Sequence, residues 1–320
     1  MRFKLVPEGT HIPFIGYGRL FIAISLALML ASSISVATRG LNFGVDFRGG
    51  ALIEIRTEGP ADLAAIRAAV GGLGLGEVTV QEFGAPDEVL IQIAAATEEE
   101  AEDAPTPDSL VIPALVEAVG QVELRRVEYV GPKVSGELIV AGLLAVGLTL
   151  VAVMVYVWLR FEWQFAVGAV ASLFHDVLIT VGLFSVLQLE FTLPIVAALL
   201  TIIGYSINDT VVVYDRIREN LRRYKTMPLG ELLDLSINET LARTTMTSFT
   251  TLVALVALYA LGGEVIRGFT FAMIWGIVIG TYSSIFVAAM IVMLLGVKRD
   301  WSKTDAEGPK GVQFGAPDAP

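Results

Sequence analysis

Apolar residues in this chain form long runs that are separated by shorter polar segments. The runs are about 18 residues or longer, which is the length an α-helix needs to cross a hydrocarbon core of about 30 Å. The fifth run is the shortest, and we expect its helix to begin earlier, among the threonines that precede it. The pattern predicts six membrane-spanning helices, at Leu20–Ala37, Leu138–Leu159, Phe165–Leu187, Leu193–Tyr214, Met246–Leu261 and Phe269–Leu295.

The first run has a second interpretation, as a cleaved signal peptide. Arg19 precedes it, and the small residues before Thr38 resemble a cleavage site. However, the segment ahead of the run is long and contains Pro and Gly, and five further runs follow. We therefore interpret the first run as an uncleaved anchor.

The segment between the first two runs, 38–132, has the pattern of a folded domain. Two strands, LNFGVDF and ALIEIRT, are predicted on either side of the turn pair Gly49–Gly50. A helix follows, begun by Pro60 and Asp62. The remaining predicted elements are two strands around a Gly-Ala-Pro-Asp turn, EVTVQEF and EVLIQIA, a second helix, DSLVIPALVEAVG, and a last strand, VELRRVEYV.

This β-α-β-β-α-β order is typical of the ferredoxin-like α+β fold, in which helices cover one face of a sheet. The acidic, proline-containing stretch at 97–108 is interpreted as a solvated loop. The sequence therefore predicts a polytopic α-helical membrane protein with one small ferredoxin-like domain between its first two membrane helices. The predicted helices supply the apolar layer of that domain through Leu63, Ile66, Val70, Leu115 and Val119.

Two short connections join this domain to the membrane helices, Arg39–Asn42 on one side and Gly131–Pro132 on the other. A slack tether would need a longer, more flexible linker. We therefore expect both connections to act as hinges, with Gly131 and Pro132 at the second one.

Lys and Arg residues alternate from one connection to the next in a way that predicts orientation. Positive residues concentrate in short cytoplasmic connections, whereas long domains cross the membrane regardless of charge. The N-terminal segment 1–19, a loop at about 215–243 and a disordered tail at 300–320 are therefore predicted to be cytoplasmic, and the domain at 38–132 to lie outside. The positive residues on the cytoplasmic side are Arg2, Lys4, Arg19, Arg160, Arg216, Arg218, Arg222, Arg223, Lys225, Arg243, Lys298 and Arg299.

Composition excludes several classes of protein and of binding site. Of 320 residues, 54% are hydrophobic and 17% charged, which excludes an ordinary soluble protein. The absence of cysteine excludes disulfides and thiolate metal sites, and two histidines, His11 and His175, make a histidine-rich metal site unexpected. The net charge of −11 argues against nucleic acid as a partner. We expect no cofactor and, since no catalytic motif is present, no enzymatic activity.

Ionisable residues inside the apolar runs are the candidates for function. Asp209, with Asn208 beside it, lies in the fourth run, His175 and Asp176 lie near the middle of the third, and Arg243 begins the fifth. An ionisable side chain at membrane depth is costly and usually faces a bundle interior or a water-filled path. Helical spacing aligns these residues with hydroxyls in two stripes: Thr201, Tyr205 and Asp209, and Arg243, Thr247 and either Thr250 or Thr251.

Two interpretations of these stripes remain. Facing acidic and basic stripes with hydroxyls suit a proton path, whereas Ser, Thr and Asn also serve simply as contacts between helices. Packing is the simpler interpretation of the hydroxyls alone. For Asp209 the proton role is favoured, because Asn or Ser would pack at lower cost. His175 and Asp176 stay open, because adjacent helical residues point about 100° apart and need not act together.

Five motifs give the chain a family resemblance over nearly its whole length. It resembles the SecF members of the SecD/SecF family of protein-export membrane proteins, within the resistance-nodulation-division (RND) superfamily. The signature after the first run contains Gly44, Asp46, Gly49 and Gly50. The motifs, in order, are GLNFGVDFRGGALIEI, YVGPKVSGEL, HDV, GYSINDTVVVYDRIREN and NETLARTTMTSFTTL.

The resemblance implies a function larger than the residues alone predict. SecF proteins pair with SecD, associate with the SecYEG channel in the bacterial inner membrane and assist export of preproteins with the proton-motive force. YajC and YidC are further partners that the resemblance implies. The family's proton-pathway residues in the fourth and fifth helices match Asp209 and Arg243. Asn208 lies beside the first and Thr247 in the stripe of the second, and Asp176 and His175 in the third run are further candidates for the pathway.

Two other classes are weighed against this hypothesis. An RND-type half-transporter of small molecules or lipids would usually carry two halves in one chain and a pocket in its outer domain. An intramembrane protease would use Asp176 and Asp209 as a carboxylate pair, but no Gly-x-Gly-Asp motif accompanies them.

Overall fold

The computed structural model of the chain describes residues 7, 10–94 and 106–297. Within that part, six helical segments are long and apolar enough to cross a membrane, which confirms the predicted number. The sixth is continuous through a π-helical stretch, Ser284–Ala288. The six are α1 (Phe14–Arg39), α5 (Pro132–Arg160), α6 (Trp163–Leu187), α7 (Leu193–Arg223), α8 (Leu229–Leu261) and α9 (Arg267–Ser283) with α10 (Ala289–Leu295).

The segment between α1 and α5 contains a four-stranded antiparallel sheet with two helices. The strand order is β3-β4-β2-β5. Asp62 caps the first helix, because its Oδ1 accepts hydrogen bonds of 3.0 Å from the N–H groups of Ala64 and Ala65. The elements are β2 (Gly50–Thr57), α3 (Leu63–Gly71), β3 (Val78–Phe83), β4 (Ala85–Ala94), α4 (Pro107–Val119) and β5 (Val122–Val130).

One apolar core joins this sheet to its two helices. Alternate residues of β2, such as Ile53 and Ile55, point toward Ile66, Val70 and Leu115 on the helices, and all five are buried. The period-2 strand pattern and the 3.6-residue helix pattern thus meet in one layer. Of the predicted core residues, Leu63 and Val119 pack at its edge.

The segment LNFGVDF is not a strand of this sheet, so that prediction is wrong. Only β1 (Asn42–Phe43) is extended, and it pairs in parallel with β6 (Glu190–Phe191), between α6 and α7. The next residues form one helical turn, α2 (Val45–Arg48). Phe47 of that turn is buried against Phe184 and Phe191. Burial of this ring in the membrane bundle decides the local conformation.

The connection at Arg39–Asn42, for which a hinge is predicted, makes hydrogen bonds to α6 and to the residues that follow it. Ser185 Oγ donates to the Gly40 carbonyl at 2.7 Å, and Asn42 Nδ2 donates to the Gln188 carbonyl at 3.2 Å. At the second connection, Gly131 directly precedes α5 and Pro132 is the first helical residue, and the hinge there stays a prediction.

The turn between β3 and β4 is tighter than the sequence predicts. A four-residue Gly-Ala-Pro-Asp turn was expected, but β4 already begins at Ala85, so Gly84 alone reverses the chain. Gly84 has φ +85°, a left-handed conformation that glycine adopts without a Cβ clash.

The predicted loop at 215–243 is a helical hairpin. α7 continues to Arg223 and α8 begins at Leu229. Side chains join the two helices across the hairpin: Asn220 Nδ2 donates to Ser236 Oγ at 3.0 Å and to Glu239 Oε2 at 2.8 Å. These contacts explain why a polar, charged stretch remains helical.

Close helix contacts in the bundle depend on small residues. Gly276 and Gly280, four residues apart, predict a close approach of the sixth span to another helix. A Cβ at Gly276 would lie 2.3 Å from the Ile202 side chain, and one at Gly280 would lie 3.1 Å from Ser206. The partner helix is therefore α7 of the same chain.

Two predictions lie largely or wholly outside the described residues. The solvated loop at 97–108 is described only from Thr106, the residue before α4, and the predicted disordered tail at 300–320 is not described.

Candidate functional site between the membrane helices

Asp209 lies inside the bundle, where α7 faces α8. Asp209 is buried, with 3% of its surface exposed. The hydroxyls of Thr247 and Ser248 and the guanidinium of Arg243 are near enough to act on its carboxylate. Oδ2 has no hydrogen-bond partner among the residues that the structure describes. A buried acceptor without a partner costs about 1–3 kcal/mol, so the position is not what packing alone would favour.

Arg243 lies on the exposed side of the same helix pair. Together with Asn208 it lines an open groove of about 420 Å³ between α7 and α8. The groove also contains Asp215, Arg216 and Glu239. Both Asp209 and Arg243 are described, and no ion pair joins them. Arg243 therefore acts on the carboxylate from a distance.

The predicted hydroxyl stripes are only partly in place. Tyr205 OH contacts Thr251 Oγ1 at 3.5 Å across the α7–α8 interface. Thr250 instead points outward and donates back to the Met246 carbonyl at 3.0 Å, which settles the choice between the two threonines. Thr201 is likewise exposed and donates to the Ala197 carbonyl.

Asp176 is the centre of a second buried polar cluster. Its Oδ2 accepts hydrogen bonds from Ser206 Oγ at 2.7 Å and from Ser283 Oγ at 2.8 Å. Ser172 Oγ donates to Ser283 Oγ at 2.9 Å. Asp176 is fully buried, and its carboxylate connects three helices, α6, α7 and α9.

His175 contacts Asp176 directly, although the 100° offset allowed the two to be independent. The distance between His175 Nδ1 and Asp176 Oδ1 is 2.9 Å. Nδ1 lies close to the main chain, so rotation of the ring brings it to the short side chain of the next residue. The ring stacks on Tyr282 at 6.1 Å, and its Nε2 is buried with no hydrogen-bond partner in the described part of the chain.

Ser206 links the two clusters along α7. It lies three residues before Asp209 and hence about one turn away on neighbouring surface of the helix. Ser206 faces Asp176, whereas Asp209 faces α8. A shift of α7 would change both environments together.

Sequence reasoning missed the serines of this site. Ser248, next to Asp209, also contacts Thr281 Oγ1 at 2.7 Å and so ties α8 to α9. Ser206 and Ser283 hold Asp176. Serines are common in apolar helices, and the only sequence signal was the helical spacing of Ser206 from Asp209.

Asp46, one of the signature residues after the first run, lies at the opposite end of α7. Asp46 Oδ2 accepts a 2.7 Å hydrogen bond from the N–H of Leu193, the first residue of α7. Gln92 Nε2 donates to Glu190 Oε1 at 2.8 Å. Burial raises the pKa of the Glu190 carboxyl above its usual range, and the Gln92 hydrogen bond opposes that rise.

The described part of the chain has no cluster of three or more His, Cys, Asp or Glu side chains arranged to hold a metal ion. The chemistry available in the bundle is therefore that of single carboxylates, an imidazole, a guanidinium and hydroxyls.

Comparison with known proteins places the chain in a family. Residues 111–298 match the model of the protein export membrane protein SecD/SecF, C-terminal region, and residues 34–61 match the SecD/SecF GG motif. The protein translocase subunit SecF of Cereibacter sphaeroides is 50% identical, over 99% of both chains. The subunit of the same name from Ketogulonicigenium vulgare is 51% identical, over 98% of both chains.

Solved structures agree in fold. The crystal structure of SecDF from Thermus thermophilus, described as a translocon-associated membrane protein, has a TM-score of 0.81 and 35% identity. The match covers 92% of this chain and 40% of that longer one. With six apolar helices, this chain is a multi-pass membrane protein. It belongs to the SecD/SecF family of protein-export membrane proteins, and within that family to the SecF translocase subunits.

Proposed function

We propose that the chain is the SecF half of a proton-driven accessory complex of bacterial preprotein export, and that Asp209 takes up and releases the proton. One observation carries this proposal: Asp209 is a buried carboxylate, one of whose oxygens has no hydrogen-bond partner among the described residues, and its neighbour Asn208 lines an open groove that contains Arg243. A group that exchanges protons needs both a low-dielectric position and a way to water.

The neighbouring residues would have distinct roles. Thr247 and Ser248 would orient the carboxylate, and Arg243, with Asn208 beside it, would favour its ionised form from the groove side. The Asp176–His175 cluster is fully enclosed, which supports a role in holding α7 against α6 and α9 rather than in direct exchange with water.

Proton movement would bias a conformational equilibrium. One charge that crosses a potential of 100 mV releases about 2.3 kcal/mol. This is enough to shift a two-state equilibrium by a factor of about 50. The domain between α1 and α5 would be the moving part, and its strand order and two covering helices support the ferredoxin-like assignment.

The setting of this activity follows the family. SecD would supply the other six helices, the SecYEG channel the path for the preprotein, and YajC and YidC accessory contacts. The positive residues support an inner-membrane orientation with both termini in the cytoplasm and the domain outside.

Asp209→Asn tests the proposal, with Asp215→Asn as the matched control. Both changes replace a carboxylate of α7 by its amide, but Asp215 is half-exposed and paired with Arg160. The measurement is export of a model preprotein into inverted vesicles, with and without a protonophore. We expect Asp209→Asn to abolish the protonophore-sensitive part while the complex still assembles, and Asp215→Asn to keep it. Protonophore-sensitive export at the wild-type level by Asp209→Asn would refute the proton role.

A further inference from the structure

We propose that the outer domain pivots on the membrane bundle at Gly49–Gly50 and Gly131, while the segment before this hinge, residues 41–48, is a fixed part of the bundle that positions α7. We call residues 41–48 the anchor segment. This inference rests on the proposed function, because it describes how movement of the helix that carries Asp209 reaches the domain.

The anchor segment is packed into the bundle from both sides. Phe47 is 7% exposed and belongs to the same apolar cluster as Phe184, Phe191 and Ile195. The Gly44 N–H donates to the Phe191 carbonyl at 3.0 Å, which extends the pairing of β1 with β6. Ring contacts and main-chain hydrogen bonds thus hold it on the α6–α7 connection.

Gly44 is needed for this fit. A Cβ at this position would lie 2.7 Å from Glu190 Oε1 and 2.7 Å from Thr192 Cγ2. Such contacts are shorter than van der Waals distances, so the anchor segment approaches the α6–α7 connection as closely as its backbone allows.

Asp46 makes the anchor segment a positioning element for α7. The first N–H groups of a helix have no partner within it, and a carboxylate there is favoured by both the hydrogen bond and the helix dipole. Asp46 supplies that carboxylate to Leu193 at 2.7 Å. Since Asp209 lies on the same helix, Asp46 acts on the proton site through the position of α7.

The helical turn α2 ends at Arg48, and β2 of the domain begins two residues later, at Gly50. Gly49 has φ +73° and Gly50 has φ +123°, conformations that residues with a Cβ rarely adopt. Gly50 is paired with Val130, so the strand that leaves the domain runs beside the strand that enters it, and Gly131 follows at once. The two connections between the domain and the bundle therefore lie side by side, as a hinge with a single axis requires.

The space around the domain permits rotation about this hinge. A crevice of about 610 Å³ separates the open face of the sheet, at Leu52 and Leu90, from the outer end of the bundle, at Leu189 and Phe269. The hydrogen bond from Gln92 to Glu190 crosses between the domain and the bundle. Rotation that opens or closes the crevice would change this contact and leave the anchor segment in place.

Two cross-links with one shared position test the inference. The chain has no cysteine, so engineered thiols are its only ones. Asn42→Cys with Glu190→Cys joins the anchor segment to the bundle at paired ladder positions. Gln92→Cys with Glu190→Cys joins the domain to the bundle. Both variants are treated in the assembled complex with a short, reductant-cleavable thiol cross-linker, and protonophore-sensitive export is measured before and after reduction.

We expect the domain cross-link to abolish protonophore-sensitive export and reduction to restore it, whereas the anchor cross-link has no effect. Loss of export with the anchor cross-link, or normal export with the domain cross-link, would overturn the inference. Asp209→Asn is measured in parallel. If Asp209→Asn loses protonophore-sensitive export while the variant with the domain cross-link keeps it, the hinge is rejected and the proton role is retained.

Asp46 is tested by two substitutions. Asp46→Ala removes the acceptor for Leu193, and we expect it to reduce protonophore-sensitive export and to shift its dependence on external pH, with normal recovery of the complex. Asp46→Asn keeps an acceptor oxygen and should restore most of the activity. An unchanged pH profile and wild-type export in Asp46→Ala would contradict the positioning role.

Discussion

The outer domain and the membrane bundle bury different kinds of side chain. Over the described residues between 50 and 130, every fully buried side chain is apolar, whereas the bundle buries serines, threonines, His175, Asp176 and Asp209. In water, the domain gains stability from apolar burial. Between membrane helices that gain is small, and close packing and polar contacts replace it. The domain thus has an apolar core, whereas the bundle buries polar side chains between its helices.

The largest effect should come from the core of the domain. We expect a fragment of residues 49–130 to fold without the bundle and to unfold cooperatively. Leu115→Ala should lower its free energy of unfolding by about 2–5 kcal/mol, because the buried side chain leaves a cavity. Val116→Ala, next to it and 46% exposed, is the control and should cost little. Urea titration measures both, and a fragment without a cooperative transition would contradict the separation into two regions.

A smaller effect is expected from overpacking the bundle. Gly276→Ala places a methyl group against Ile202 and should cost about 1–3 kcal/mol. Gly147→Ala, on α5, meets no atom within 4 Å and should be neutral. Thermal unfolding of the detergent-solubilised complex compares the two, and equal melting temperatures would show that this contact is looser than the structure indicates.

The smallest effect is electrostatic and belongs to the domain surface. Arg56 lowers the pKa of Asp87, first through a side-chain hydrogen bond and then through its charge. Because the folded-state pKa lies below the unfolded one, the contribution is present above about pH 4 and is lost as pH falls through the folded-state value. Asp87→Asn should therefore be slightly less stable than the wild-type fragment at pH 7 and equal to it in acid. A difference that does not shrink as the pH falls below about 4 would contradict this origin.

The membrane spans were predictable because their signal is local: length and apolar content decide them. The anchor segment was not, because the alternating residues around Phe47 suit a strand as well as a helical turn. Contact of Phe47 with Phe191, far along the chain and itself packed against Phe184, decides between the two. The helical hairpin near Asn220 was missed for a similar reason. Its charged residues are typical of a loop, and the contact that joins its two helices, from Asn220 to Glu239, is not visible in the sequence.

The residues of the candidate site also fall into those that the sequence predicts and those that it does not. Asp209 was found from sequence because a carboxylate in an apolar helix is conspicuous. Its partners Thr247 and Ser248 differ only in which face of α8 they occupy, so helical spacing identified one and missed the other. The contact between His175 and Asp176 depends on a ring rotation that sequence does not specify.

Proton uptake by the reconstituted complex tests the central claim most directly. The chain is incorporated with its SecD partner into vesicles that contain a pH-sensitive dye, and a potential is imposed across the membrane. We predict uptake by the wild type, reduced uptake by Asp209→Glu, whose carboxylate is displaced by one methylene group, and none by Asp209→Asn. Uptake by Asp209→Asn at the wild-type rate would contradict the account and leave Asp209 as a contact between helices.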